Sequence, residues 1–241
     1  MPKVSYWSAT RAPRYSLLFV LPLLLAYETL AFAISHDAYA GVRNGADVLL
    51  KSAFVWLGGR NGLLWFGAVL LGAGAILVVR DFRRAGAIVP RYFLGMAAES
   101  VGYALTLGTV TGLLTSALLR AAPLAADMAG AFDLPTQLMI SLGAGIYEEL
   151  LFRVILVSGL AALGKHVFKL APVPSGVLAA SIGALVFSAF HYIGPFGDPL
   201  ELGSFTFRTI AGLIFSGLYL TRGFGITAWS HALYDIFLTI G

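Results

Sequence analysis

The chain has 241 residues, of which 59% are hydrophobic and 12% charged, with a formal net charge of +4. Soluble domains carry roughly 25% charged residues, so this composition indicates a polytopic membrane protein. The absence of cysteine excludes disulfides, a thiol nucleophile and thiolate metal sites. The sequence contains no basic stripe interleaved with aromatic residues, so we expect no nucleic-acid binding.

Seven apolar segments predict transmembrane helices, each of which needs about 20 residues. They cover residues 15–34, 62–79, 92–119, 136–163, 175–193, 203–221 and 224–240. The shorter apolar stretch Asp47 to Leu57 is expected to be an interfacial helix or an eighth, partial span. We therefore predict an all-α bundle of about seven to eight transmembrane helices. It forms a single integral membrane domain over residues 1–241, with a motif-bearing core at about 136–240.

Lysine and arginine between these segments are distributed unevenly. They concentrate before the first span and in the loops on the same side, as at Arg80, Arg83 and Arg84. The positive-inside rule then favours a cytoplasmic N-terminus. We expect the protein to lie in the lipid bilayer of a bacterial or archaeal inner (plasma) membrane. The sequence leaves its oligomeric state open.

Adjacent carboxylates in the fourth apolar segment are the main functional signal. Glu148 and Glu149 are followed by Arg153 in the same segment. An ionised side chain in hydrocarbon costs at least about 2.5–3.5 kcal/mol, so such residues are functional-site candidates. Glu149 and Arg153 are four residues apart and can pair on a helix. Glu148 faces away from that pairing and is left available as a general acid or base.

Two later segments present histidines. His191 ends the fifth segment, and His231 and Asp235 share a helix face in the last one. A carboxylate and a histidine could activate water while other donors stabilise an oxyanion. Alternatively, Glu148, Glu149, His191 and His231 could bind a zinc ion, since glutamate and histidine are suitable ligands. The sequence leaves both possibilities open.

Other buried polar residues are interpreted as structural. Glu28, Glu99 and Arg208 are expected to make polar contacts between helices, with Glu99 and Arg208 as one possible ion pair. Gly143 and Gly145, just before the glutamates, are expected to permit close helix approach.

Three motifs in order resemble one family. E-E-x-x-x-R at 148–153, F-x-x-x-H at 187–191 and H-x-x-x-D at 231–235 are similar to those of the CPBP family. This family comprises type II CAAX prenyl proteases and bacteriocin-processing or immunity (Abi) proteins. The resemblance, over about residues 136–240, implies a glutamate-type intramembrane endopeptidase acting on a membrane-associated protein or peptide. It implies no required cofactor, with a divalent metal such as zinc as the alternative.

The resemblance also implies roles for individual residues. Glu148 and His191 would activate the water, His231 and Asp235 would stabilise the transition state, and Glu149 and Arg153 would support the site. Many family members have asparagine where this chain has Asp235. An ionised aspartate cannot donate to an oxyanion, so Asp235 is protonated, or orients His231, or favours a metal ligand set. This departure weakens the assignment of a prenylated CAAX substrate.

The predicted depths of the site residues are a difficulty. His191 lies near the outer end of its segment, whereas His231 lies about 10 Å from the inner end of its own at 1.5 Å per residue. They can meet only if helices tilt or if the loop Gly194 to Gly197 folds back into the membrane.

Two other function classes fit buried glutamate and histidine. One is a proton-coupled transporter, although the sequence shows no inverted repeat. The other is a non-catalytic immunity or scaffold member of the family. Among substrates, a prenylated CAAX motif, a C-terminal sorting signal and a leader peptide all remain open.

Overall fold

The computed structural model describes residues 5–35, 42–119, 132–194 and 197–240, and every regular element in these ranges is helical. The helices are α1 (Tyr6–Ala9), α2 (Pro13–Ser35), α3 (Gly45–Gly58), a 3-10 turn (Gly59–Asn61), α4 (Gly62–Ala85), α5 (Arg91–Leu119), α6 (Leu134–Gly143), a π-helix (Ala144–Val157), α7 (Ser158–His166), α8 (Pro172–Phe190), α9 (Leu202–Arg222) and α10 (Phe224–Ile240). The predicted all-α class is confirmed.

Four helical segments in the described part of the chain are long and apolar enough to cross a membrane. They are Pro13–Ser35, Gly45–Ala85, Arg91–Leu119 and Pro172–Phe190. The predicted number of seven to eight spans is therefore not confirmed.

The segment Gly45–Ala85 bends back on itself. The rings of Phe54 and Phe66 lie 5.4 Å apart, whereas a straight helix would separate these positions by about 18 Å at 1.5 Å per residue. Helix α3 therefore packs against α4 as a hairpin. The stretch near Asp47, for which an interfacial helix or a partial span was expected, is one arm of this hairpin.

Local capping explains where two of the helices around the site begin. The Asn44 side chain accepts a hydrogen bond from the Ala46 backbone N–H at 2.9 Å at the start of α3. The Asp133 side chain accepts a hydrogen bond from the Thr136 backbone N–H at 3.2 Å at the start of α6. Such caps satisfy backbone donors that a helix start leaves without partners.

Helix α10 packs against α2, α5, α6, α9 and the π-helix. Small residues allow this: a side-chain carbon added at Gly145 would lie 2.4 Å from the Ala228 carbonyl oxygen and 2.7 Å from Ala232 Cβ. At Gly143 the added carbon would lie 2.6 Å from the Tyr27 ring. The predicted role of both glycines in close helix approach is confirmed.

The suggested pairing of Glu99 with Arg208 is wrong. Both carboxylate oxygens of Glu99 accept hydrogen bonds from Arg222, at 2.8 and 2.9 Å, and Arg208 pairs with Asp198. Arg222 is the last residue of α9, whereas Arg208 lies in its first half, about 21 Å away at 1.5 Å per residue. The sequence alone does not indicate which end of α9 meets Glu99.

Glu28 makes the polar contacts between helices that were expected of it. Its Oε1 accepts from Lys51 Nζ at 2.9 Å and from the Tyr147 hydroxyl at 2.7 Å. These two bonds join α2 to α3 and to the π-helix.

Candidate active site

The two glutamates lie in the π-helix, where the sequence predicted an ordinary α-helix. Backbone hydrogen bonds in a π-helix run from residue i to i+5, and such turns are frequent at functional sites. The element covers Ala144–Val157 and continues directly from α6 into α7. Glu148, Glu149 and Arg153 are all buried in it.

Glu149 is the centre of a charged contact between two helices. Its Oε1 lies 3.0 Å from Arg153 Nη1 and 2.7 Å from Nδ1 of His231 on α10. The side chain is fully buried, at 0% exposure. The predicted pairing of Glu149 with Arg153 is confirmed, and the same carboxylate holds one of the predicted site histidines.

Glu148 has a different partner from a different part of the chain. Its Oε1 accepts a hydrogen bond of 2.8 Å from Nδ2 of Asn44, the residue that caps α3. Among the residues that the structure describes, no side chain or backbone group bonds its other carboxylate oxygen. Glu148 retains 7% exposure whereas Glu149 has none. Oε2 of Glu149 also lacks a partner but is buried, so Glu148 is the carboxylate of the pair that water can reach.

His191 lies at the C-terminal end of α8, and its orientation is set by its own helix. Nδ1 is 2.9 Å from the Phe187 carbonyl oxygen. Because a carbonyl only accepts, Nδ1 carries the proton and Nε2 offers a lone pair in the neutral ring. The charges of His191 and His231 both act on Glu148, and both rings lie against Phe187. The three side chains therefore lie close together despite their different predicted depths.

The loop that was expected to fold back is described only in part. Pro195 and Phe196 lie outside the described residues. Across these two positions, the Asp198 backbone N–H donates a hydrogen bond of 3.0 Å to the His191 carbonyl oxygen. This bond brings the chain after α8 back to the histidine.

His231 has a carboxylate on each side of its ring. Nδ1 contacts Glu149, and Nε2 lies 3.6 Å from Oδ2 of Asp235, one turn further along α10. A neutral imidazole can donate from only one nitrogen. Two flanking carboxylates therefore favour the doubly protonated ring, in which Nδ1–H donates to Glu149 and Nε2–H faces Asp235 without a hydrogen bond.

Two phenylalanines pack the site. The Phe187 ring lies 4.9 Å from the His191 ring and 6.1 Å from the His231 ring, and the Arg153 guanidinium is 4.3 Å from its centre. Phe215 of α9 stacks on His231 at 4.3 Å. Phe187 belongs to a motif found in the sequence, whereas nothing in the sequence distinguishes Phe215 or Asn44 from other apolar and capping residues.

The residues suggested for a zinc ion do not form a ligand set. No group of three or more His, Asp or Glu side chains in the described ranges is placed to hold one metal ion. Oε1 of Glu149 faces Arg153 and His231 Nδ1, and His191 Nδ1 faces a carbonyl. The contact with Glu149 occupies Nδ1 of His231, whereas Nε2 of His191 carries a lone pair that is not used by the Phe187 carbonyl.

Residues 130–237 match the family model described as Type II CAAX prenyl endopeptidase Rce1-like. The matched residues, called here the CPBP region, are similar to the CPBP family. The resemblance inferred from the three motifs is thereby confirmed, and every predicted site residue lies within the CPBP region. No curated protein and no solved structure matched the chain. Together with the apolar helices, the CPBP region indicates an integral membrane protein with a CAAX-type protease function.

Proposed function

We propose that the protein is an intramembrane endopeptidase that hydrolyses a peptide bond with water activated by Glu148 and His191. The difference between the two glutamates is the observation that carries this proposal. Oε1 of Glu149 contacts Arg153 and His231 and its Oε2 is buried, whereas Glu148 retains 7% exposure and lies near His191. A base for water must be able to reach it by a hydrogen bond.

In the first step, water held between Glu148 and Nε2 of His191 attacks the carbonyl carbon of the scissile bond. Its proton passes to Glu148, the carbon–oxygen bond forms, and the carbonyl oxygen becomes an oxyanion. In the second step the carbon–nitrogen bond breaks, and the proton on Glu148 moves to the leaving nitrogen. The products are a carboxylic acid and an amine, and the carboxylate of Glu148 is regenerated.

The developing oxyanion needs a donor fixed in advance. We assign this role to Nε2–H of His231, because Glu149 holds the ring from the other side at 2.7 Å. Asp235, 3.6 Å from Nε2, then orients the imidazolium and stabilises its charge. Among the three possibilities for Asp235, this geometry favours orientation of His231.

The substrate class is a membrane-associated protein or peptide. A prenylated C-terminal CAAX segment is the first candidate, since the matching family model is described by that activity. A C-terminal sorting signal and a leader peptide are the alternatives. We propose further that the chain is one membrane domain with a cytoplasmic N-terminus, and that catalysis needs no cofactor.

The test uses purified protein in liposomes with fluorescent peptides of the three classes. Cleavage by the wild type and its loss in Glu148→Gln are expected. Glu201→Gln is the matched control, because Glu201 is exposed and caps no backbone group with its side chain. Full activity of Glu148→Gln would refute the assignment. Loss of cleavage with a chelator, restored by zinc, would favour the metal alternative.

The same liposomes distinguish the other function classes. A proton-coupled transporter would take up a peptide without cleaving it, and would acidify or alkalinise the lumen as it does so. A non-catalytic scaffold would bind without either effect. Mass spectrometry of the peptide, combined with a pH-sensitive dye inside the liposome, separates these results from proteolysis.

A further inference from the structure

Asn44 lies outside the CPBP region, yet its side chain contacts the proposed base. We infer that Asn44 is a positioning residue that orients Glu148 for water activation, an inference that rests on the proposed function. The contact is short, 2.8 Å from Asn44 Nδ2 to Glu148 Oε1, and Asn44 has only 3% exposure. The matched family region spans 130–237, so the first part of the chain completes the site.

The orientation of the Asn44 amide follows from its second hydrogen bond. Its Oδ1 accepts from the Ala46 N–H at 2.9 Å. Since an N–H can only donate, the oxygen must face Ala46, and the NH₂ group must face Glu148. The capping bond therefore determines that the amide nitrogen of Asn44 faces Glu148. A carboxylate oxygen can accept the hydrogen bond that this nitrogen donates.

Ion pairs on both sides fix the backbone around Asn44. Arg43 Nη1 lies 3.3 Å from Glu28 Oε2 and 3.2 Å from Asp47 Oδ2. Asp47 also pairs with Lys51 Nζ at 2.8 Å and accepts from the Tyr27 hydroxyl at 2.7 Å. Asp47 is fully buried. These bonds tie the start of α3 to α2, so Asn44 is presented by a rigid support.

Holding Oε1 has a consequence for the other oxygen. A carboxylate bonded at one oxygen by a fixed donor cannot rotate freely, and its second oxygen then points in one direction. Catalytic groups need to be held within a fraction of an ångström of the productive geometry. Asn44 thus contributes to kcat through Glu148 without touching the substrate.

The first test replaces Asn44 by Asp and by Ser, both of which still cap a helix but cannot donate an amide N–H to Glu148. We expect kcat to fall at least tenfold in both variants, with KM within a factor of about three. Asn61→Asp is the matched control: Asn61 is exposed and its side chain makes no capping bond at the start of α4. It should retain wild-type kcat.

The second test does not depend on activity. Asn44→Asp places a carboxylate against a buried carboxylate, and its Tm in detergent should fall by at least about 5 °C. In a Glu148→Gln background the glutamine amide can donate a hydrogen bond to the carboxylate that Asn44→Asp introduces. The same Asn44→Asp change should then shift the Tm by less than about 2 °C.

The outcomes separate this inference from the proposed function. If the wild type cleaves and Asn44→Asp cleaves with unchanged kcat, the positioning role is overturned and the endopeptidase proposal stands. An equal Tm loss in both backgrounds would overturn the contact itself. If the wild type cleaves no peptide, the proposed function fails and the role of Asn44 in catalysis fails with it.

Discussion

Oε1 of Glu149 lies 2.7 Å from Nδ1 of His231, across the interface between the π-helix and α10. The same oxygen lies 3.0 Å from Arg153. One buried carboxylate therefore contacts both a guanidinium and an imidazole. It also fixes the imidazole that we propose as the oxyanion donor.

Replacing Glu149 by Gln should destabilise the protein far more than replacing Glu148 by Gln. The change leaves the fully buried Arg153 without its anionic partner, which typically costs about 3–5 kcal/mol. Thermal unfolding in detergent measures this difference. Equal Tm values for the two variants would contradict the assignment of separate roles to the two glutamates.

Gly145→Ala should reduce both stability and cleavage. The added carbon would lie 2.4 Å from the Ala228 carbonyl oxygen, so the π-helix must move away from α10 at a cost of about 1–3 kcal/mol. That movement separates Glu149 from His231. The control is Gly159→Ala on α7, where the added carbon meets nothing within 4 Å and helix propensity favours alanine by up to about 1 kcal/mol. A Gly145→Ala variant that unfolds at the same temperature as Gly159→Ala would argue against the tight contact.

Asp235→Asn should retain cleavage within about tenfold, or about 1.4 kcal/mol of barrier. The amide keeps a polar group beside Nε2 of His231 and can itself donate to an oxyanion. Asp235→Leu removes both options and should lose about 100-fold or more. Initial rates with one peptide compare the variants, and equal losses for Asn and Leu would show that only the negative charge of Asp235 matters.

Arg222→Ala should lower stability without changing kcat per folded molecule. Arg222 is bonded to Glu99 and to the Trp7 carbonyl, and its loss would leave these partly buried acceptors without partners at about 1–3 kcal/mol. Arg84→Ala, at an exposed position in α4, is the matched control. If Arg222→Ala lowers kcat while its Tm stays unchanged, this purely structural role is wrong.

The sequence predicted the helices and the burial of the charged residues better than the partners of those residues. Charged residues in apolar segments are recognisable because burial is costly, and spacing alone identified the Glu149–Arg153 pair. Asn44 could be predicted only as a helix cap, because its contact with Glu148 depends on how α3 packs. The pairing of Glu99 with Arg222 likewise depends on which end of α9 lies near α5.

The count of spans and the π-helix illustrate a second limit. Hydropathy reports length and polarity, so it cannot show that α3 folds back on α4. A π-turn differs from an α-turn only in hydrogen-bond register, and the apolar pattern of residues 144–157 does not indicate that shift.

The π-helix makes the site sensitive to the number of residues before the glutamates as well as to their identity. Each wide turn holds an additional residue compared with an α-turn. Deleting one residue within Ala144–Val157 would tighten one of these wide turns and would rotate the residues after the deletion relative to those before it. When this protein is aligned with others, a one-residue gap in this element therefore marks a change in catalytic geometry, even where every motif residue is present.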